Sequence, residues 1–106
     1  MKKVKMPTSD SYQNYLIESL QDPEEAAAYI EAILEAENPE AELLTSALKD
    51  VIDAQLKINN LSQPAKLRWE RLHKILLKSG GNEIYSLVDL LDALGFRLEV
   101  VKKPST

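Results

Sequence analysis

The apolar positions of the chain recur mostly at intervals of three and four residues, the period of an amphipathic helix. The first run predicts a helix over about residues 11–20 that is capped by Ser9 or Asp10 and carries Tyr12, Tyr15, Leu16 and Leu20. Two start signals follow, Asp22-Pro23 and Asn38-Pro39, because Asp or Asn caps a helix and Pro suits its first turn. They predict helices over about residues 23–36 and 39–55.

The segment from residue 56 to residue 67 fits two interpretations. In one, a short helix spans about residues 59–64 and a separate helix follows it. In the other, Ser62 caps a single long helix that runs on through Leu77, and Pro64 lies in its first turn, where a missing N–H costs no hydrogen bond. In both, apolar residues at helical spacing extend the helix to about Lys78; they are Trp69, Leu72, Ile75 and Leu76.

Three glycines and one stretch of alternating apolar and polar residues predict the structure of the end of the chain. Gly80 and Gly81 predict a turn, and the Ser86-x-x-Asp89 spacing of a capping box predicts a last helix that stops at Gly95. Residues 96–101 alternate between apolar and polar, which predicts one short strand. A lone strand must pair with the N-terminal segment, with a second copy of the chain or with a different partner. Pairing with a second copy would give a homodimer, and the candidate residues for it are Phe96, Leu98 and Val100.

The fold class that follows is all-α, with five or six helices and a short C-terminal β-strand. We expect a single domain over residues 11–101, since the chain has 106 residues. Residues 1–10 are expected to be a disordered basic tail, and residues 102–106 a flexible tail.

The formal net charge of −4 hides an uneven distribution along the chain. Residues 10–53 carry twelve acidic residues and one basic residue, for a net charge of −11. Residues 54–81 carry six basic residues and one acidic residue, for a net charge of +5. The acidic stretch fits either a solvated helical surface or a docking surface for a small basic protein, and the basic segment suits an anionic partner.

Composition argues against catalysis and against a membrane span. The chain has no Cys, which excludes disulfides, thiolate metal sites and a cysteine nucleophile. The lone His73 lies inside a predicted helix without a neighbouring nucleophile, and three glycines do not form a phosphate-binding loop. No apolar run approaches the length of a membrane helix, and no apolar segment follows the basic N-terminus as in a signal peptide. We therefore expect a cytoplasmic protein that is not an enzyme and needs no cofactor or metal.

The basic segment places its charges on one side of the predicted helix. At 100° per residue, Arg71, Lys74 and Lys78 form a stripe beside the apolar face, and Lys66 and Arg68 lie at the helix start. A basic helix after a short helix and a tight turn is what helix-turn-helix recognition of DNA requires, because its exposed face enters the major groove. A solvated face that is merely basic fits the same pattern.

Residues 15–29 resemble the N-terminal signature of HigA-like addiction-module antidote proteins. These are small helix-turn-helix antitoxins of the repressor-like (Xre) type, found in bacterial and archaeal toxin–antitoxin operons. The similarity continues through residues 38–40 and 47–51, and it returns at residues 80–82 and 90–98. It therefore covers about residues 12–101.

The resemblance implies an antitoxin-like transcriptional regulator that binds operator DNA as a homodimer and also binds a small basic toxin of the RelE/ParE type. Carried onto this chain, it favours the two-helix interpretation, with the short helix at about residues 59–65 and the recognition helix at about 68–77. The implied DNA-binding residues are those of the basic segment: Lys66, Arg68, Trp69, Arg71, Lys74 and Lys78. The alternative is a protein-interaction module of the same fold that has lost sequence-specific reading of DNA.

The chain departs from the family pattern where DNA would be read. Lys66 stands at the turn where relatives have Gly, so we expect it to need a positive φ. Pro64 in the short helix is also unusual for the family. Trp69 replaces an Arg and cannot make a bidentate contact to guanine. It also lies at the border of the apolar face, which favours partial burial over contact with a base.

Overall fold

A computed structural model describes residues 9–104, and five helices account for most of that range. They are α1 (Ser9–Ser19), α2 (Pro23–Leu34), α3 (Leu43–Lys57), α4 (Gln63–Ser79) and α5 (Asn82–Ala93). Helices α1, α2 and α4 each pack against α3, which is therefore the central helix. The prediction of an all-α chain is confirmed for the described residues. Most of the predicted N-terminal tail, residues 1–8, lies outside them.

The predicted start of α2 is confirmed in detail. The Asp22 carboxylate accepts a hydrogen bond from the Glu24 N–H at 2.9 Å, and Pro23 is the first residue of the helix. The Asn38-Pro39 signal, in contrast, is wrong, because α3 begins at Leu43 without a side-chain cap. Asn38 instead takes a φ of 51° in the connection between α2 and α3, a left-handed conformation that Asn tolerates.

Helix α4 corrects the two-helix interpretation of residues 59–77. The Ser62 hydroxyl accepts a hydrogen bond from the Ala65 N–H at 3.2 Å, so Ser62 caps one helix of 17 residues. Pro64 fits because it lies in the first turn. Residues 59–62 are not helical, so the separate short helix expected at about residues 59–65 is not found, and the helix-turn-helix arrangement itself stays a prediction.

A tight turn of two glycines joins α4 to α5. Gly80 and Gly81 have φ values of 67° and 88°, which confirms the left-handed end predicted for α4. Since α5 begins directly at Asn82, Ser86 lies inside the helix and the capping box predicted there is wrong. The predicted stop at Gly95 is confirmed, because α5 ends at Ala93 and Gly95 has a φ of 91°.

The core lies along α3 and has two parts. One part joins α1, α2 and α3 through the buried residues Ile17, Leu20, Ala26 and Ala54. The other lies where α3 meets the turn between α4 and α5, with Leu44 and Leu76 each only 2% exposed. Tyr12 and Tyr15, predicted on the apolar side of the first helix, are exposed, because α1 turns Ile17 inward instead.

The predicted C-terminal strand is not found, since residues 96–104 have no regular secondary structure. A strand needs a neighbouring backbone, and no other segment of the described chain pairs with this one. The Val100 N–H donates instead to the Glu31 carboxylate on α2, at 2.9 Å.

Candidate nucleic-acid interface

The predicted basic stripe lies on the side of α4 that faces away from α3. Leu76 is buried and Leu72 is half-buried on the inner side of the helix. The stripe and the two basic residues that precede it are all exposed; these are Lys66, Arg68, Arg71, Lys74 and Lys78. Among residues 9–104, none of these five side chains forms an ion pair. Their charges are therefore available to an external anion.

Apolar side chains lie among these charges. Leu67 is 58% exposed and Leu77 is 70% exposed. Ile75, which periodicity predicted on the buried face, is half exposed. The outer face of α4 is thus both basic and apolar, which suits an interface better than it suits a purely solvated surface.

Trp69 is separated from the stripe. Its indole stacks on the imidazole of His73, with ring centroids 4.8 Å apart and planes at 8°. Both side chains are half-buried, which confirms the interpretation of Trp69 as partly buried. At 100° per residue the indole lies about 160° around the helix from Arg71. Trp69 therefore does not share a face with the basic stripe.

Lys66 lies in the first turn of α4 rather than at a separate turn. Its N–H donates to the Ser62 carbonyl oxygen at 3.0 Å, as in any helical turn. The described non-glycine residues with a positive φ are Asn38 and Asn59, so the conformation expected for Lys66 is wrong. Because Lys66 lies within α4, it avoids the backbone strain that a positive φ would impose on a lysine.

One carboxylate of the acidic stretch, that of Asp50, joins three helices. The two oxygens of Asp50 on α3 accept hydrogen bonds from Gln13 of α1, at 2.7 Å, and from the Tyr29 hydroxyl of α2, at 3.2 Å. Burial, together with the charge and hydrogen bond of Asp50, raises the pKa of Tyr29 to about 12. Asp50 therefore holds three helices together, whereas exposed acids such as Glu18 and Glu25 face outward.

Alkaline pH should test this contact. Between pH 10 and pH 12 folded Tyr29 keeps a proton that the unfolded chain releases, so stability is full below pH 10 and falls as pH rises towards 12. We expect Tyr29 to contribute about 2 kcal/mol to that fall. The Tyr29→Phe variant should start about 1 kcal/mol less stable at neutral pH and lose correspondingly less above pH 10.

Urea unfolding at several pH values measures this difference. Tyr15→Phe is the control, because Tyr15 is 72% exposed. Equal alkaline losses in the wild type and in Tyr29→Phe would mean that the pKa of Tyr29 is not raised.

Sequence reasoning missed an ionic clamp between α2 and the C-terminal segment. The Arg97 guanidinium contacts the carboxylates of Glu31 at 2.7 Å, Glu35 at 3.4 Å and Glu99 at 3.2 Å. The other oxygen of Glu31 accepts the Val100 N–H. Arg97 and Glu31 lie 66 positions apart, and no local pattern signals such a pair.

The predicted dimerisation residues differ in their exposure. Phe96 is 60% exposed, whereas Leu98 and Val100 are half-buried against their own chain. Phe96 and Leu98 line a cavity of about 600 Å³, together with the α2–α3 connection and one side of α5. The three residues do not form a shared open edge.

Comparisons with protein-family models, with curated proteins and with solved structures give no match to this chain. Within residues 9–104, no three His, Asp or Glu side chains are placed to hold a metal ion. None of the described helices is both long enough and apolar enough to cross a membrane.

Proposed function

We propose that this chain binds double-stranded DNA through the outer face of α4 and acts as an antitoxin-like transcriptional regulator. The observation that carries the proposal is the stripe of Arg71, Lys74 and Lys78 on an exposed, well-capped helix, which forms no ion pair with the described part of the chain. Basic side chains on one face of a helix contact phosphates on both sides of the major groove and reach the edges of guanines.

The regulatory part of the proposal rests on the sequence resemblance. An autoregulator of this type binds a two-fold operator as a homodimer, which places two copies of α4 about 34 Å apart, one turn of the duplex. Arg68 and Lys66, near the start of α4, would add contacts to the backbone of the DNA.

Fluorescence anisotropy of a duplex from the chain's own promoter tests the proposal. If two copies neutralise about six phosphates, the logarithm of the affinity should fall with the logarithm of salt concentration at a slope near −5. The variant Arg71→Ala/Lys74→Ala/Lys78→Ala should make that slope much less negative, since each lost phosphate contact removes about one unit of slope and only the contacts of Lys66 and Arg68 remain.

A matched control is available elsewhere on the surface. Lys57→Ala/Lys102→Ala/Lys103→Ala removes the same charge from exposed positions outside α4 and should keep the wild-type slope. Equal losses in the two triple variants would mean that only net charge matters. No binding by the wild-type chain at low salt would refute the DNA proposal.

The Arg97 clamp favours a second candidate function, a protein-interaction module. Two carboxylates at the end of α2, those of Glu31 and of the C-cap residue Glu35, already accept an arginine of the same chain. A small basic toxin would supply similar side chains to the acidic helices. Co-purification of the neighbouring operon product with both the wild type and the α4 triple variant, without DNA binding by either, would support this function instead.

A further inference from the structure

Residues 96–104 lie against α2 without regular secondary structure, and we call this segment the C-terminal strap. Near its beginning, the Arg97 guanidinium contacts the carboxylates of Glu31 and Glu35. Further along, the Val100 N–H donates to the second oxygen of Glu31, so this one carboxylate holds the strap at two points. The strap therefore runs along α2 from the end of the helix towards its start.

The side of α2 that faces the strap is acidic and otherwise has small side chains. We call it the α2 groove, and its residues are Glu24, Ala27, Ala28, Glu31 and Glu35. Alanines let another backbone approach the helix closely, and the carboxylates beside them attract basic groups. The strap matches this surface in charge, because it carries three basic residues and one acidic residue. The groove thus has the chemistry of a site for a basic peptide segment.

The contacts that hold the strap can be exchanged for those of another molecule. The Arg97 side chain is 62% exposed, and ion pairs at exposed positions contribute little to stability. Within residues 9–104, one backbone group of the strap, the Val100 N–H, is hydrogen-bonded to α2. Residues 101–104 are exposed and leave a cleft of about 470 Å³ against Glu24 and the alanines. A second basic segment could therefore compete with the strap for the groove.

We propose that the C-terminal strap is autoinhibitory: it occupies the α2 groove as an internal ligand, and a basic segment of a partner protein binds there only by displacing it. The strap itself indicates the chemistry of that segment, an arginine followed by apolar residues and then by lysines. Such a segment would take over the contacts of Arg97 and reach Glu24 through the cleft. This blocking role rests on the protein-interaction candidate, but its test needs no partner protein, so the two can fail separately.

A fluorescently labelled synthetic peptide of residues 96–104 is the probe, and its binding to the full chain is measured by anisotropy. The wild type should bind the peptide weakly, because its own tethered strap has a high effective concentration at the groove. Arg97→Ala/Val100→Pro removes the guanidinium and the N–H from the tethered strap and leaves the groove intact. We expect this released variant to bind the peptide about tenfold more tightly than the wild type does.

A matched control changes the same kinds of residue without releasing the strap. Lys57→Ala/Val101→Pro removes one exposed positive charge and introduces a proline one position further along, but it keeps Arg97 and the Val100 N–H. It should bind the peptide as weakly as the wild type does. The circular dichroism spectra of both double variants should match that of the wild type, since neither changes a residue inside the core.

Substitutions in the groove test where the peptide binds. Glu31→Gln/Glu35→Gln, added to the released variant, should abolish the tight binding, because both contacts of the peptide's arginine lose their charge. Glu18→Gln/Glu25→Gln removes the same charge from exposed positions outside the groove and should leave tight binding in place.

Equal affinity of the wild type and the released variant for the peptide would overturn the proposal. Equal losses in the two glutamine variants would overturn it as well, because net charge alone would then attract the peptide. If Arg97→Ala/Val100→Pro does not fold, the milder Arg97→Gln serves for the same comparison, with an expected gain in affinity of about threefold.

Discussion

Replacing Leu44 with alanine is expected to lower the free energy of unfolding by about 3 kcal/mol, within the range of about 2–5 kcal/mol for buried leucines. Leu44 is 2% exposed in the first turn of α3, next to Leu76 and the Gly81 turn. This part of the core is small and has few other side chains to fill the space. The truncation should therefore leave a cavity that adds to the lost burial.

Urea unfolding monitored by circular dichroism measures the effect. Leu56→Ala is the control, because Leu56 lies on the same helix and is half exposed, and it should cost less than about 1 kcal/mol. A domain of this size has a total stability of about 5–15 kcal/mol, so Leu44→Ala removes a substantial fraction of it. Similar losses in the two variants would mean that Leu44 is not a core residue.

Structural features that depend on a few neighbouring residues were predicted correctly from the sequence. The Asp22 cap, the left-handed Gly80 and the stop at Gly95 each depend on hydrogen bonds or backbone angles within one turn. Such features are determined by interactions within one turn, so they do not depend on how the rest of the chain packs.

The start of α3 was predicted wrongly, because its local sequence signal competes with a long-range contact. Asn38-Pro39 has the form of a helix start, yet α3 begins at Leu43. We attribute this shift to the burial of Leu44 against the α4–α5 turn, which a local signal cannot register. Ser86 also has the form of a cap, but here the reason for the error is local, because Gly81 already turns the chain directly into α5.

The same difference between local and long-range determinants applies to the candidate interface. Periodicity correctly placed Arg71, Lys74 and Lys78 on one side of α4, and the structure exposes that side. Periodicity also finds the apolar side of α5, but it cannot tell that the side with Leu87 and Leu90 points outward. That choice depends on the distant contact of Tyr85 with Ile33, 52 positions away in the chain.

Gly81→Ala is expected to destabilise the chain by about 3 kcal/mol through two separate effects. Gly81 has a φ of 88°, and this conformation costs an alanine about 1–2 kcal/mol. A Cβ at this position would also lie 3.1 Å from Cδ2 of Leu44, tighter than an ordinary van der Waals contact, so the buried Leu44 side chain would have to shift, and crowding of a packed core costs about 1–3 kcal/mol more.

The two effects separate experimentally. Gly95 also has a left-handed φ, of 91°, but a Cβ there meets nothing within 4 Å, so Gly95→Ala should show the backbone cost alone. In a chain that already carries Leu44→Ala, the crowding at Gly81 should disappear and Gly81→Ala should cost only about 1–2 kcal/mol. The two substitutions should therefore be less damaging together than the sum of their separate effects. Additive losses would mean that Leu44 and Gly81 do not share one packed site between α3 and the α4–α5 turn.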